Sequence, residues 1–209
     1  MYSPLQRLPP KPAAATATVV PSKNAVAAAA NPARAKVALA ALAAALVSNP
    51  PSTVWIGLGA NLGERADTLR LAIGAIDAIS ETRVQRVSSL YRSTPVDAGG
   101  PDYLNAAAEL STTLAPQALL AALQAIELSA GRQRPYRNAP RTLDLDILWW
   151  GEQRIHTPTL TVPHPRLYER AFVLQPLAEL APERVSASAL HAVQAQAITR
   201  HAAPGWQTL

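Results

Sequence analysis

Val54-Trp55-Ile56-Gly57-Leu58-Gly59-Ala60-Asn61-Leu62-Gly63-Glu64 is an apolar run that stops on a turn and enters a helix. Its first half, bulky and β-branched, reads as a buried strand. Beyond Gly63, Glu64 and Asp67 bring negative charge to a helix N-terminus, and Leu69, Ala72, Ile73, Ile76 and Ile79 recur at helical spacing. The spacing from Gly57 is G-x-G-x-x-x-G, not the G-x-G-x-x-G of a dinucleotide fingerprint, and no ribose-binding acid follows in a βαβ unit. A Rossmann fold is excluded. The glycines are expected to ease the passage from strand to helix.

Working outward, residues 82–91 read as a second strand, 95–102 as a Gly/Pro loop and 103–112 as a third strand. Pro116 at the first helical position opens a second helix, carried by Leu119, Leu120, Leu123, Ile126 and Leu128 and closed by Gly131. An arginine-rich loop leads to a fourth strand at 143–150. The order is β-α-β-β-α-β. It predicts an α+β, ferredoxin-like core: an antiparallel sheet with helices on one face, plus an extra C-terminal hairpin around Gly151 and loops. An apolar segment at 172–180 follows, and after Pro182 the pattern fades into an Ala-rich tail. The expected catalytic domain is 53–185, with 186–209 as a C-terminal tail.

Residues 1–52 are rich in Ala, Pro, Ser, Thr and Asn. They lack the large apolar side chains that offset the entropy of ordering, so a mostly disordered extension is expected. Its apolar run at 37–47 is too short to span a bilayer. A targeting segment or an early start remains the alternative. The net charge of +5 is carried by Arg7, Lys11, Lys23, Arg34 and Lys36 alone, since the 14 acids further on are matched by arginines. The high isoelectric point therefore says nothing of nucleic acid as a partner of the folded part. No cysteine is present, which removes thiolate chemistry and fits a reducing cytoplasm.

The chemistry gathers around Pro140-Arg141-Thr142-Leu143-Asp144-Leu145-Asp146-Ile147-Leu148. Side chains alternate along a strand, so Asp144 and Asp146 project from one face with Cα atoms about 6.5–7 Å apart. Carboxylates so placed repel unless a cation lies between them, and hard oxygen ligands suit Mg²⁺. Just before them stand Arg132, Arg134, Arg137 and Arg141, guanidinium groups that fork onto phosphate oxygens. Together they suit a polyanion arriving with its metal ions. Taken singly, a solvated strand face and a surface loop paired to nearby acids remain open readings. His164, in the proline-bounded loop Val162-Pro163-His164-Pro165, is by itself an ordinary loop histidine; with Arg170 it offers a candidate second phosphate grip.

These strings, with Ser89-Leu90-Tyr91, Pro101-Asp102-Tyr103-Leu104-Asn105-Ala106, Ile126-Glu127-Leu128, Gly131-Arg132 and Arg170-Ala171-Phe172-Val173-Leu174, occur in an order that resembles the 2-amino-4-hydroxy-6-hydroxymethyldihydropteridine pyrophosphokinases of the folate pathway. The resemblance covers about 54–183 and agrees with the ferredoxin-like order. It implies transfer of diphosphate from ATP to 6-hydroxymethyl-7,8-dihydropterin, with ATP as co-substrate and two Mg²⁺ ions on Asp144 and Asp146. It implies pterin contacts from Ser93, Thr94, Val96, Tyr103, Asn105 and Phe172. Around the nucleotide it implies Gln124, Glu127, Arg132, Arg141, His164 and Arg170, with Arg132, Arg141 and the two aspartates as catalytic residues. The partners are then small molecules only, with no nucleic acid and no membrane, acting on a cytoplasmic monomer.

Two departures from the family's pattern stand out. Arg137-Asn138-Ala139-Pro140-Arg141 replaces the frequent Arg-Trp-Gly-Pro-Arg, in a loop one residue shorter, so the lid aromatic is missing at its expected place and Tyr136 is the candidate substitute. Pro165 follows His164 where an aromatic is common. The competing readings are a nucleotidyltransferase, which also uses Asp-x-Asp with two metals, and a non-catalytic pterin- or nucleotide-binding module. The first would need a Gly-Ser pair and a third carboxylate, neither of which is clear in the sequence.

Overall fold

The computed structural model describes residues 50–95, 100–131 and 141–208. The N-terminal extension up to residue 49, Val96, and the arginine loop from Arg132 to Pro140 lie outside the described residues.

β1 (Ser52–Ala60) runs between β4 (Tyr103–Thr112) and β5 (Asp144–Trp150), antiparallel to both. β2 (Thr82–Val87) and β3 (Leu90–Ser93) lie end to end along the far side of β4. α1 (Arg65–Asp77) links β1 to β2 although β4 lies between them, the split βαβ arrangement. α2 (Pro116–Ser129) makes the second crossover, from β4 to β5, with Pro116 in its first turn. The βαββαβ expectation is met.

Side-chain alternation on β1 divides the interior into two layers. Val54, Ile56, Leu58 and Ala60 face α1 and α2, where they meet Leu69, Ile73 and Ile76 of α1 and Leu119 and Leu123 of α2. This is the single helical face predicted for the core. The opposite face, carrying Trp55, is covered by a further helix, α3 (Ala171–Leu180), through Leu174, Leu177 and Leu180. β5 serves both layers because its register against β1 slips by one residue: Ile56 pairs with Ile147 but Trp55 with Trp149. The bulge turns Leu148 and Trp149 to the same side, so Trp149 meets Trp55 edge-on at 5.8 Å and Trp150 returns to the other layer. The Arg184 guanidinium lies 4.7 Å from each indole of that pair and closes it off.

After β5 come a turn at Gly151 and the small hairpin of β6 (Ile155–His156) and β7 (Thr161–Val162), the extra hairpin expected there. Residues 186–208, expected as a tail, hold α4 (Ala187–Ala192) and β8 (Ile198–Ala202), and β8 pairs with β3 at the sheet edge. Among the described residues no helix is long and apolar enough to cross a membrane.

The strand expected at 82–91 is interrupted at Ser88-Ser89, and distant residues satisfy the gap. Ser88 Oγ accepts the Ala107 N–H at 2.9 Å in place of a backbone carbonyl, and Trp206 Nε1–H donates to Ser88 O at 2.9 Å. The Glu179 carboxylate of α3 accepts the Ser89 N–H at 2.7 Å, the Tyr91 hydroxyl at 2.5 Å and an Arg200 N–H at 3.1 Å. One carboxylate thus ties α3, the strand break and β8.

Burial pushes the Glu179 carboxyl up, but the Ser89 N–H, the Tyr91 hydroxyl and Arg200 outweigh it and hold it below the ordinary glutamate range. A carboxylate lowered in this way stabilises the fold above its unfolded pKa, and the contribution disappears as pH falls through the folded value. Glu179→Gln should cost about 1–3 kcal/mol near neutrality. The gap from wild type should narrow as the pH falls below the unfolded glutamate value of about 4.3. Urea titration at pH 7 and at pH 3.5 checks both statements; equal midpoints at pH 7 would contradict the first.

Candidate active site

The site begins with two glycines. In the β1–β5 register Gly59 stands opposite Asp144 and Gly57 opposite Asp146, while on the other side Gly59 pairs with Asn105 and Gly57 with Ala107. These positions face away from α1 and α2. A Cβ at Gly59 would lie 3.3 Å from Asn105 Oδ1 and 4.0 Å from Asp144 Cβ. The missing side chains leave a trough, with carboxylates along one bank and the Asn105 amide along the other. The expectation that Gly57 and Gly59 ease a strand-to-helix turn is corrected here: both lie inside β1, and Gly63, at φ 61°, makes the turn.

The trough deepens into a cleft bordered by Ser93, Thr94 and Tyr103 on one side and by Arg141, Arg170 and Phe172 around the rest of its rim. Asn105 is 4% exposed, and its Nδ2 donates to Ser93 Oγ at 2.9 Å. That bond fixes the amide so that Oδ1 lies over Gly59. Phe172 stands in the first turn of α3 with the Arg170 guanidinium 5.4 Å from its ring centre. Arg141 Nη1 bonds Asp144 Oδ1 at 2.7 Å. Asn61 sets the start of β5: its Oδ1 accepts the Arg141 N–H at 2.9 Å, its own N–H donates to Arg141 O at 3.2 Å, and its Nδ2 reaches Pro101 O at 3.4 Å.

A second cleft opens across the outer edge of β5, between α2 and the loop 157–165. Gln124, Glu127 and His164 line it, and Asp146 borders both clefts. Glu127 is 3% exposed, and its Oε1 accepts the Leu145 N–H at 2.7 Å, fastening β5 to α2. His164 N–H donates to Leu148 O at 3.0 Å, which fixes the loop to the β5 bulge. Its Nδ1 accepts the Arg166 N–H at 3.2 Å, so the neutral ring carries its proton on Nε2, 4.0 Å from Asp146 Oδ2. Burial, then the nearby Arg170 guanidinium, lower His164 below the usual histidine value and keep it neutral at pH 7. Asp146 moves the other way. Removal from bulk water, then the Asp144 carboxylate, push it up to about 7 against the pull of Arg170 and Arg141.

The structure therefore gathers the sequence-predicted residues Ser93, Thr94, Tyr103, Asn105, Arg141, Asp144, Asp146, Arg170 and Phe172 around one cleft. It places Gln124, Glu127 and His164 around the adjoining one. Val96 and Arg132 lie outside the described residues. Sequence reasoning missed the floor made by Gly57 and Gly59, the clamp made by Asn61, and Arg166, which also borders the first cleft. The glycines carried a signal, since their spacing of two puts both on one face of a strand. Asn61 carried none, because its partners lie 40 and 80 residues away.

Residues 55–182 match the family model of 7,8-dihydro-6-hydroxymethylpterin-pyrophosphokinase. A Pseudomonas aeruginosa 2-amino-4-hydroxy-6-hydroxymethyldihydropteridine pyrophosphokinase is 51% identical over 131 residues, covering 62% of this chain and 81% of that protein. The Bacillus subtilis protein of the same name is 46% identical over 129 residues, covering 60% and 76%. Among solved structures, a Plasmodium falciparum HPPK-DHPS chain superposes with a TM-score of 0.53 at 13% identity, over 69% of this chain and 44% of that one. This chain thus spans less than half of that protein, and the likeness concerns the fold alone. On the family match and the identities to the bacterial proteins, the chain belongs to the 7,8-dihydro-6-hydroxymethylpterin-pyrophosphokinase family.

Proposed function

We propose that the chain transfers the terminal diphosphate of ATP to the hydroxymethyl oxygen of 6-hydroxymethyl-7,8-dihydropterin, with the pterin in the glycine-floored cleft and the nucleotide in the cleft across β5. The observation that carries this arrangement is the position of Asp146, whose carboxylate borders both clefts. An acceptor hydroxyl on one side and a donor phosphate on the other meet there. In the reaction the acceptor oxygen bonds to the β-phosphorus while the bond from that phosphorus to the α,β-bridging oxygen breaks. AMP leaves with the electron pair, and the hydroxyl loses its proton.

On the pterin side, the Asn105 amide, oriented by Ser93, reads donors and acceptors on the heterocycle. Tyr103 and Phe172 offer ring surfaces to its faces, and Thr94 lines the wall beside them. On the nucleotide side, Arg132, Arg141 and Arg170 bind phosphate oxygens, and the Nε2–H of neutral His164 donates to another. Gln124 and Glu127 border the nucleotide, and Glu127 also holds β5 in place. Since phosphoryl transfer asks mainly for positioning and charge stabilisation, residues of these kinds suffice on the protein side.

Asp144 and Asp146 suit Mg²⁺. They are hard oxygen donors side by side, and the upward push on Asp146 marks a pair short of positive charge. Mg²⁺ keeps few protein ligands and completes its shell with phosphate oxygens and water, so two carboxylates are a sufficient protein contribution. Two such ions, when bound, would neutralise charge on the attacking and leaving oxygens. Arg141 holds Asp144 in place at 2.7 Å. We further read the protein as a cytoplasmic monomer whose substrate- and metal-binding residues all lie within 53–185, with residues 1–52 outside the catalytic unit.

Incubation with ATP and the reduced hydroxymethylpterin should give AMP and the pterin diphosphate; ADP or free pyrophosphate in place of AMP would overturn the assignment of the attacked phosphorus. Asp144→Ala and Asp146→Ala should each lower kcat by at least about a hundredfold with the circular dichroism spectrum retained. Near-normal turnover in either would remove that residue from the metal site. Gly59→Val should fill the trough and raise the pterin KM by roughly tenfold or more while ATP-analogue binding persists; an unchanged pterin KM would place the acceptor elsewhere.

A further inference from the structure

We infer that Gln196, in the C-terminal segment beyond the family-matched residues, is a positioning residue for the pterin side of the site. It acts through the backbone on either side of Arg170, and the inference rests on the cleft assignment above. Gln196 Oε1 accepts the Ala171 N–H at 2.9 Å, and its Nε2 donates to Glu169 O at 2.8 Å. One amide therefore grips the peptide groups on both sides of Arg170. Those groups need an outside partner. Ala171 opens α3, a helix's first N–H groups have no partner of their own, and Arg170 at the cap position supplies no side-chain hydrogen bond. With Gln196 in place, the extended backbone of Arg170 (φ −128°, ψ 116°) is pinned, and with it the direction of Arg170 and of Phe172 in the first turn.

The anchor of Gln196 lies on the opposite bank. Two residues on, β8 begins, and Ile198 pairs with Ser93 and Thr199 with Arg92 of β3. Ser93 is the residue that orients Asn105. The segment 196–199 thus spans from the wall carrying Ser93 and Thr94 to the wall carrying Arg170 and Phe172. Gln196 also borders a further cleft that shares Ser93, Thr94 and Phe172 with the first. The distance between an amide that reads the heterocycle and an aromatic that covers it is then set by a residue that touches neither substrate.

Gln196→Met keeps the length of the side chain and removes both hydrogen bonds; Gln196→Ala removes them without a terminal group to repack. Both should raise the pterin KM about tenfold, more than they change kcat or the ATP KM, with rates expressed per folded enzyme and the melting temperature followed in parallel. Gln194→Met, on the exposed neighbouring surface, should match wild type. A wild-type pterin KM in either Gln196 variant, while Phe172→Ala is impaired, overturns the positioning role alone. Wild-type kinetics in the Gln196 variants and in Phe172→Ala together overturn the cleft assignment as well. Loss of folding in both Gln196 variants makes the residue a structural brace and also overturns the inference.

Discussion

The antiparallel pairing of β5 against β1 is the constraint on which the site depends. It sets two carboxylates opposite two glycines, while β4 on the other side of β1 brings up Asn105. A strand buried on both faces would ordinarily carry large side chains on each. β1 does so toward α1 and α2 and opposite α3, where Trp55 sits, and gives it up only at Gly57 and Gly59. The absence of two side chains in the middle of a sheet makes a cleft while the β1–β5 pairing runs on unbroken from Ile56 to Gly59. A functional hollow built this way sits on rigid elements, which favours fixed geometry over adaptable loops.

Charge is arranged around that hollow so that carboxylates and guanidinium groups stand close together. Asp144 has a guanidinium partner in Arg141, but Asp146 is pushed up by its surroundings and by Asp144 despite the nearby arginines. His164 is kept neutral by burial and by Arg170, with its one ring proton turned toward Asp146. Guanidinium groups and cation-seeking carboxylates, side by side, complement a metal-bound polyphosphate far better than either an anion or a cation alone. The same charges left to themselves would cost stability, as crowded functional sites often do.

What steadies this arrangement comes from far along the chain. Ser88 and Ser89 break the strand beside β4, and the polar groups set free are bonded by Glu179 and Trp206, 90 and 118 residues onward. β8 then lies along β3, and the segment leading into it holds the start of α3. The C-terminal residues are therefore not an appendage to a finished core, because without Trp206 and Gln196 the Ser88 carbonyl and the first N–H of α3 would lose these partners. Buried backbone groups without partners are costly enough that such a segment belongs to the fold.

From the sequence alone, the alternation of Asp144 and Asp146, the helical spacing of Leu69, Ile73 and Ile76, and the Pro116 and Gly131 boundaries could all be read, because each depends on residues within a turn or two of one another. The βαββαβ order followed from those local patterns, and the resemblance in the Arg-Thr-Leu-Asp-Leu-Asp string pointed to the chemistry. Tertiary structure decided what lies across from each of these residues. It made Gly57 and Gly59 a floor, not a turn, brought Asn61 against Arg141 and Gln196 against Ala171, and converted an Ala-rich tail into a strand. Such contacts depend on sheet order and register, which are settled by the burial of both faces at once. A local pattern records which face a side chain takes, but not the neighbour it meets there.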